Sequence, residues 1–169
     1  MLKTLKRTII IFIPFLFFVC MKGTAYSEPS TTYNNLLILD EQTINENLYE
    51  TLTILSNNEN TLTIEEISSG LYDNQFISPE DFQKKVGFFP VVKWLKFDIR
   101  NESQRKEWLL EFAFPLIYEI HIYTETDSGL EKITTTGANY PYHQREFDHR
   151  HFIFNLNIEP LETKTYYIL

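Results

Sequence analysis

The residues best equipped for chemistry are concentrated in one stretch, Tyr140-Pro141-Tyr142-His143-Gln144-Arg145-Glu146-Phe147-Asp148-His149-Arg150-His151, which holds three of the four histidines in the chain. His149 and His151 are two residues apart, so on extended backbone they share a face. With His143 or Asp148 they offer imidazole and carboxylate groups of the kind that zinc and copper accept. A simpler reading is also open: a polar loop running into a strand exposes such residues anyway, and Arg145 and Arg150 pair with Glu146 and Asp148. On that reading no metal and no cofactor is expected. The same stretch carries the side chains by which proteins hold sugars, aromatic faces beside forked hydrogen-bonding groups. Tyr140, Tyr142, His143, Arg145 and Arg150 are therefore the expected ligand-binding residues, for a small molecule of carbohydrate type.

Catalytic signatures are missing. There is no nucleophile elbow, no glycine-rich phosphate loop and no metalloprotease helix. The acidic pairs Glu65-Glu66 and Glu80-Asp81 fall at helix starts, where carboxylates complement the helix dipole. The chain is accordingly expected not to be an enzyme.

The elements that must carry the polar stretch are strands. Leu36 to Leu39 is a compact apolar run, and Tyr49 to Leu55 is β-rich, ending in a turn-forming Ser56-Asn57-Asn58-Glu59-Asn60 cluster. Thr63-Ile64-Glu65-Glu66 has capping-box spacing and predicts a short helix ending before Gly70. Ser78-Pro79 predicts a second one, stopping near Gly87. From Val91 the period is two: Leu95, Phe97 and Ile99 on one face, then Trp108, Leu110, Phe112 and Phe114, then Tyr118, Ile120 and Ile122, then Phe152, Phe154, Leu156 and Ile158. Trp94 shares the opposite face of its strand with Lys96, Asp98 and Arg100, and both tryptophans are expected to pack. Arg100 and Asn101 close a turn. Asp127-Ser128-Gly129 marks a hairpin, and Glu159-Pro160 turns the chain into Thr163 to Leu169. Strands at this spacing predict an all-β fold, a jelly-roll-like antiparallel β-sandwich with one or two short helices.

The N-terminus reads as an export signal. Lys3, Lys6 and Arg7 precede the uncharged apolar run Thr8–Cys20, and Ala25 and Ser27 supply small residues for cleavage after Ser27. The run is shorter than the roughly 20 residues of a comfortable membrane span. The alternative is an uncleaved N-terminal anchor. Residues 1–27 are thus assigned to a signal peptide, 28–35 to a linker and 36–169 to one domain. Removing 1–27 takes four of the 15 basic residues and none of the 23 acidic ones, so the remainder has a formal charge of −12. Such a surface repels nucleic acid. The only cysteine, Cys20, leaves with the signal, so the domain has no disulfide and no cysteine nucleophile. The expected location is periplasmic or on the cell surface.

Several dispersed motifs carry a resemblance: Leu62-Thr63-Ile64-Glu65-Glu66, Trp94-Leu95-Lys96-Phe97, Arg100-Asn101, Trp108-Leu109-Leu110-Glu111, Pro115-Leu116-Ile117, Ile122-Tyr123, Gly137, Pro141, Arg150 to Phe154, and Tyr167. Over roughly Leu37 to Leu169 they are similar to the type 2 extracellular domain of bacterial seven-transmembrane receptors with diverse intracellular signalling modules. The resemblance implies a jelly-roll-like domain outside the membrane that binds small ligands such as carbohydrate, followed by seven helices and a signalling output. The chain departs from that plan by stopping on Tyr166-Tyr167-Ile168-Leu169, where the first membrane helix should approach, which suggests a truncated or split reading frame. Membrane association would then run through missing downstream helices or an uncleaved N-terminus. Two functions are carried forward: the ligand-sensing module of a membrane receptor, and a free exported carbohydrate-binding or adhesion module.

Overall fold

The computed structural model describes residues 8–11, 36–56, 61–86 and 93–169. Its strands are β1 (Thr8–Ile11), β2 (Leu36–Leu39), β3 (Asn45–Asn47), β4 (Thr53–Ser56), β5 (Lys93–Asn101), β6 (Glu107–Phe112), β7 (Ile120–Thr126), β8 (Gly129–Thr136), β9 (Phe152–Asn157) and β10 (Thr163–Ile168). Two short helices, α1 (Ile64–Ser68) and α2 (Pro79–Val86), lie between β4 and β5. One sheet has the order β3-β1-β6-β9; the other runs β2-β5-β10-β7-β8, with β4 also on β5. Most ladders are antiparallel, as expected for a sandwich, but β1 pairs in parallel with both β3 and β6, and β2 with β5.

The alternation read from the sequence sets the inner faces. Phe97, Ile99 and Tyr166 of one sheet meet Trp108, Leu110, Phe112, Phe152, Phe154 and Leu156 of the other in a single buried cluster. Within it Phe97 and Tyr166 stack at 5.5 Å and Phe112 meets Phe154 edge-on at 5.9 Å, geometries that add to simple area burial.

Trp94 is buried too, but on the other face. It joins Leu55, Ile67 and Tyr167 in a second, smaller core that α1 closes over the six-stranded sheet. The helix starts where its capping box predicts: Glu66 N–H donates to Thr63 Oγ1, and Thr63 N–H donates to Glu66 Oε2 at 2.9 Å. Ser78 caps α2 in the same way, accepting from Asp81 N–H at 3.1 Å. With a core on each side, Tyr166, Tyr167 and Ile168 are all buried. A strand covered on both faces carries apolar residues without alternation, as here at Tyr166-Tyr167-Ile168.

The expected cleavage site after Ser27, the linker 28–35, the Asn57–Asn60 part of the predicted turn, and Gly87 and Val91 fall outside the described residues. Thr8 to Ile11, the start of the run read as an export signal, are described as β1, with Ile9 fully buried in the main core. Both roles draw on Ile9. Cleavage after Ser27 would remove β1 and leave the Leu109–Phe112 edge of β6 without its parallel partner.

The tyrosines of β10 make the fold sensitive to alkali. Burial pushes the Tyr166 and Tyr167 hydroxyls well above the usual phenol range, and Tyr167 also donates to Glu125 Oε1 at 2.5 Å. Below about pH 10 both folded and unfolded chains keep these protons and stability is unaffected. Above it only the unfolded chain loses them, so stability falls with rising pH. Urea unfolding midpoints should drop between pH 8 and pH 10.5, and Tyr167→Phe should flatten part of that decline.

Candidate functional site

The loop from Gly137 to His151 leaves β8 and returns into β9. Its first anchor is a close backbone crossing. Gly137 has φ +142, and a Cβ there would lie 2.6 Å from the carbonyl carbon of Tyr118 and 2.7 Å from Glu119 Cα. The next two residues lock the crossing, with Ala138 N–H donating to Ile117 O at 2.8 Å and Asn139 N–H to Tyr118 O at 3.1 Å. Residues 115–119 lie off the sheet, and β7 begins at Ile120. Tyr118, expected to face inward, is instead 72% exposed. The alternation of β7 does not extend back through residues that are not on the strand.

The five expected ligand-binding residues fall into separate settings. Tyr142 and Arg145 come together: the guanidinium lies 4.7 Å from the Tyr142 ring centre and 4.3 Å from that of Phe152. Arg145 also serves as an internal strut, its Nη1 donating to the carbonyls of His149 and Arg150, each at 3.1 Å. Tyr142 is half-exposed, and its hydroxyl donates to Asp148 Oδ1 at 2.6 Å. Tyr140 turns the other way and donates to Glu119 Oε1 at 2.9 Å. His143, in a short 3-10 turn, and Arg150 are exposed.

The ion pairs expected within the loop are replaced by other partners. Asp148 takes the Tyr142 hydroxyl, and Glu146 reaches over β9 to accept from both the backbone N–H and the side-chain amide of Asn155. Glu119 is shared, since His121 Nε2 lies 3.0 Å from the same Oε1 that Tyr140 uses. The Tyr140 hydroxyl, and after it the His121 ring, hold the Glu119 carboxyl below its ordinary range, and the same bond raises the Tyr140 phenol. Hydrogen bonding to Asp148 likewise raises the Tyr142 phenol.

Three residues that sequence reasoning passed over stand out. Tyr118 adds an exposed aromatic beside the start of the loop, and Glu119 is the acceptor that fixes Tyr140. Glu111, on the outer face of β6, lies 2.5 Å from His151 Nδ1. A local reading offered only the break at Pro115 as a sign of the first two, and none for the third. The arrangement as a whole is a self-braced polar loop that displays Tyr142, His143 and Arg150, with Tyr118 on the adjoining segment.

The family model described as 7TMR-DISM extracellular 2 matches residues 50–169. Among curated proteins none matches the chain. Among solved structures, Cel44A, a GH family 44 endoglucanase from Clostridium thermocellum, is similar at 12% identity and a TM-score of 0.29, over 75% of this chain and 25% of that one. The chain thus spans about a quarter of the length of that structure, and so low a score says nothing about a shared fold.

Proposed function

The chain belongs to the 7TMR-DISM extracellular 2 family, and we propose that it is the ligand-sensing part of a bacterial membrane receptor, taking a small ligand of carbohydrate type on the loop from Gly137 to His151. The family is one of extracellular domains of receptors rather than of enzymes, which places the chain's work outside the cytoplasm. No helix among the described residues is long and apolar enough to cross a membrane.

The observation that supports the site is the display of Tyr142. Its ring is braced from one side by Arg145 and its hydroxyl is held by Asp148, so an aromatic face is offered to solvent without the entropy cost of fixing it on binding. His143 and Arg150 are exposed on the same loop and offer hydrogen-bonding groups.

A thermal-shift screen of sugars against the purified chain should give a melting shift that saturates with concentration. Tyr142→Ala should weaken that ligand about tenfold or more, whereas Tyr142→Phe, which keeps the ring, should retain most of the affinity. Unchanged affinity in a folded Tyr142→Ala protein places the site elsewhere. Arg145→Ala is the poorer probe, because it also removes the strut under His149 and Arg150.

Export by the N-terminal segment belongs to the same proposal. Mass spectrometry of the exported protein should find it beginning at Glu28. An intact N-terminus would instead keep Ile9 and β1 in the sheet.

A further inference from the structure

We propose that Glu111, His149 and His151 form a binding site for a divalent transition metal of the zinc class. The three side chains come from two sources in the chain. Phe112 is paired with Phe152 across the antiparallel β6–β9 ladder, and both point into the core. Glu111, one residue back on β6, takes the outer face, and His151, immediately before β9, meets it there, its Nδ1 lying 2.5 Å from Glu111 Oε1. His149, two residues earlier, completes the group.

Each of the three offers one ligand atom, and these atoms lie within 4.8 Å of one another. Two imidazoles and one carboxylate make a donor set that zinc, copper(II) and nickel(II) accept, whereas calcium and magnesium prefer all-oxygen sites. The set leaves a coordination position for water or a ligand oxygen.

The surroundings pre-form the group. The Glu111 and His151 side chains are only 17% and 15% exposed, so both are already largely withdrawn from water. The Arg145 strut pins the carbonyls of His149 and Arg150, and its guanidinium lies over the Phe152 ring of β9. The rings of His149 and His151 meet edge-on with centres 5.0 Å apart. An ion pair between Glu111 and one histidine needs no second imidazole there. The His149 ring nitrogen Nδ1 accepts from His151 N–H at a long 3.2 Å, so a metal taken at that nitrogen displaces little.

The proposal does not depend on the sugar reading. Its test is titration of zinc chloride into the chelator-stripped chain by isothermal calorimetry. The expected result is saturable binding of one equivalent. His149→Ala, which removes an exposed side chain and leaves the fold intact, should weaken zinc about tenfold or more, as should Glu111→Gln. His143→Ala, in the same loop but outside the group, should leave it unchanged. Zinc should raise the melting temperature of the parent chain but not of His149→Ala. Absence of saturable heat, or equal affinity in the parent and a folded His149→Ala protein, overturns the proposal.

Discussion

Gly137→Ala should cost about 3–5 kcal/mol of stability, a large fraction of the roughly 5–15 kcal/mol that holds a domain of this size. Two effects act together. At φ +142 the backbone is in a region that side chains with a Cβ rarely adopt, and the added carbon would press on the Tyr118 carbonyl and on Glu119 Cα. None of those contacts is the end of a flexible side chain, so relief requires moving the 115–119 segment or the end of β8. Movement breaks the bonds from Ala138 and Asn139 to Ile117 and Tyr118, and with them the anchor of the loop that carries Tyr142. The variant should therefore lose ligand response as well as melting temperature.

Gly129→Ala separates the two effects. Gly129 also has positive φ, +112, but a Cβ there meets nothing within 4 Å. Only conformational strain remains, worth about 1–2 kcal/mol. Urea denaturation of the two variants beside the parent checks the comparison. Equal losses would mean that the crossing at Tyr118 contributes nothing.

Asn101→Leu should be of similar severity, about 4 kcal/mol or more. Asn101 is fully buried and uses its whole side chain. Its Nδ2 donates to Arg105 O at 2.5 Å and Ile158 O at 2.7 Å, and its Oδ1 accepts from Ser103 N–H at 3.1 Å and Ser103 Oγ at 2.7 Å. Its backbone continues the pattern, donating to Glu162 O at 2.9 Å and accepting from Leu161 N–H at 2.6 Å. One residue thus ties the end of β5 to the turn before β6 and to the connection between β9 and β10. Leucine has nearly the same shape and none of the polarity. Each buried group left unpaired costs about 1–3 kcal/mol, whereas each bond as made contributes only about 1 kcal/mol. Asn101→Asp should fare little better, because it turns an acceptor toward two carbonyl oxygens. Ser103→Ala, which removes a single hydroxyl, should cost about 1 kcal/mol. Unfolding midpoints at constant urea m-value measure all three.

Asn101 also shows how far a sequence reading goes. Read locally, Arg100 and Asn101 close a turn, but the structure keeps both in β5, with Asn101 paired to Leu39, and the chain bends only at Ser103-Gln104. Nothing nearby says that the amide reaches Ile158, which is 57 positions away. The candidate site divides in the same manner. The density of His, Arg, Tyr and acidic residues between Tyr140 and His151 is plain in the sequence, but the partners are not. Arg145 was expected to meet carboxylates and instead braces carbonyls, because the loop folds back on itself and closes over Phe152.

The sequence by itself determined the alternating strands from Lys93 onward, both helix starts, the hairpin at Asp127-Ser128, the acidic charge and the likeness to a receptor's extracellular domain. These are local properties: the side-chain period follows from strand geometry, and a cap is satisfied within three residues. Only the tertiary structure decided what depends on register and on the second layer. It placed Trp94 under α1, turned Tyr118 outward, put Thr8–Ile11 beside β6 and brought Glu111 to His151 across 40 positions. A period of two says which face a residue occupies; which residue of another strand lies opposite depends on how the whole sheet closes.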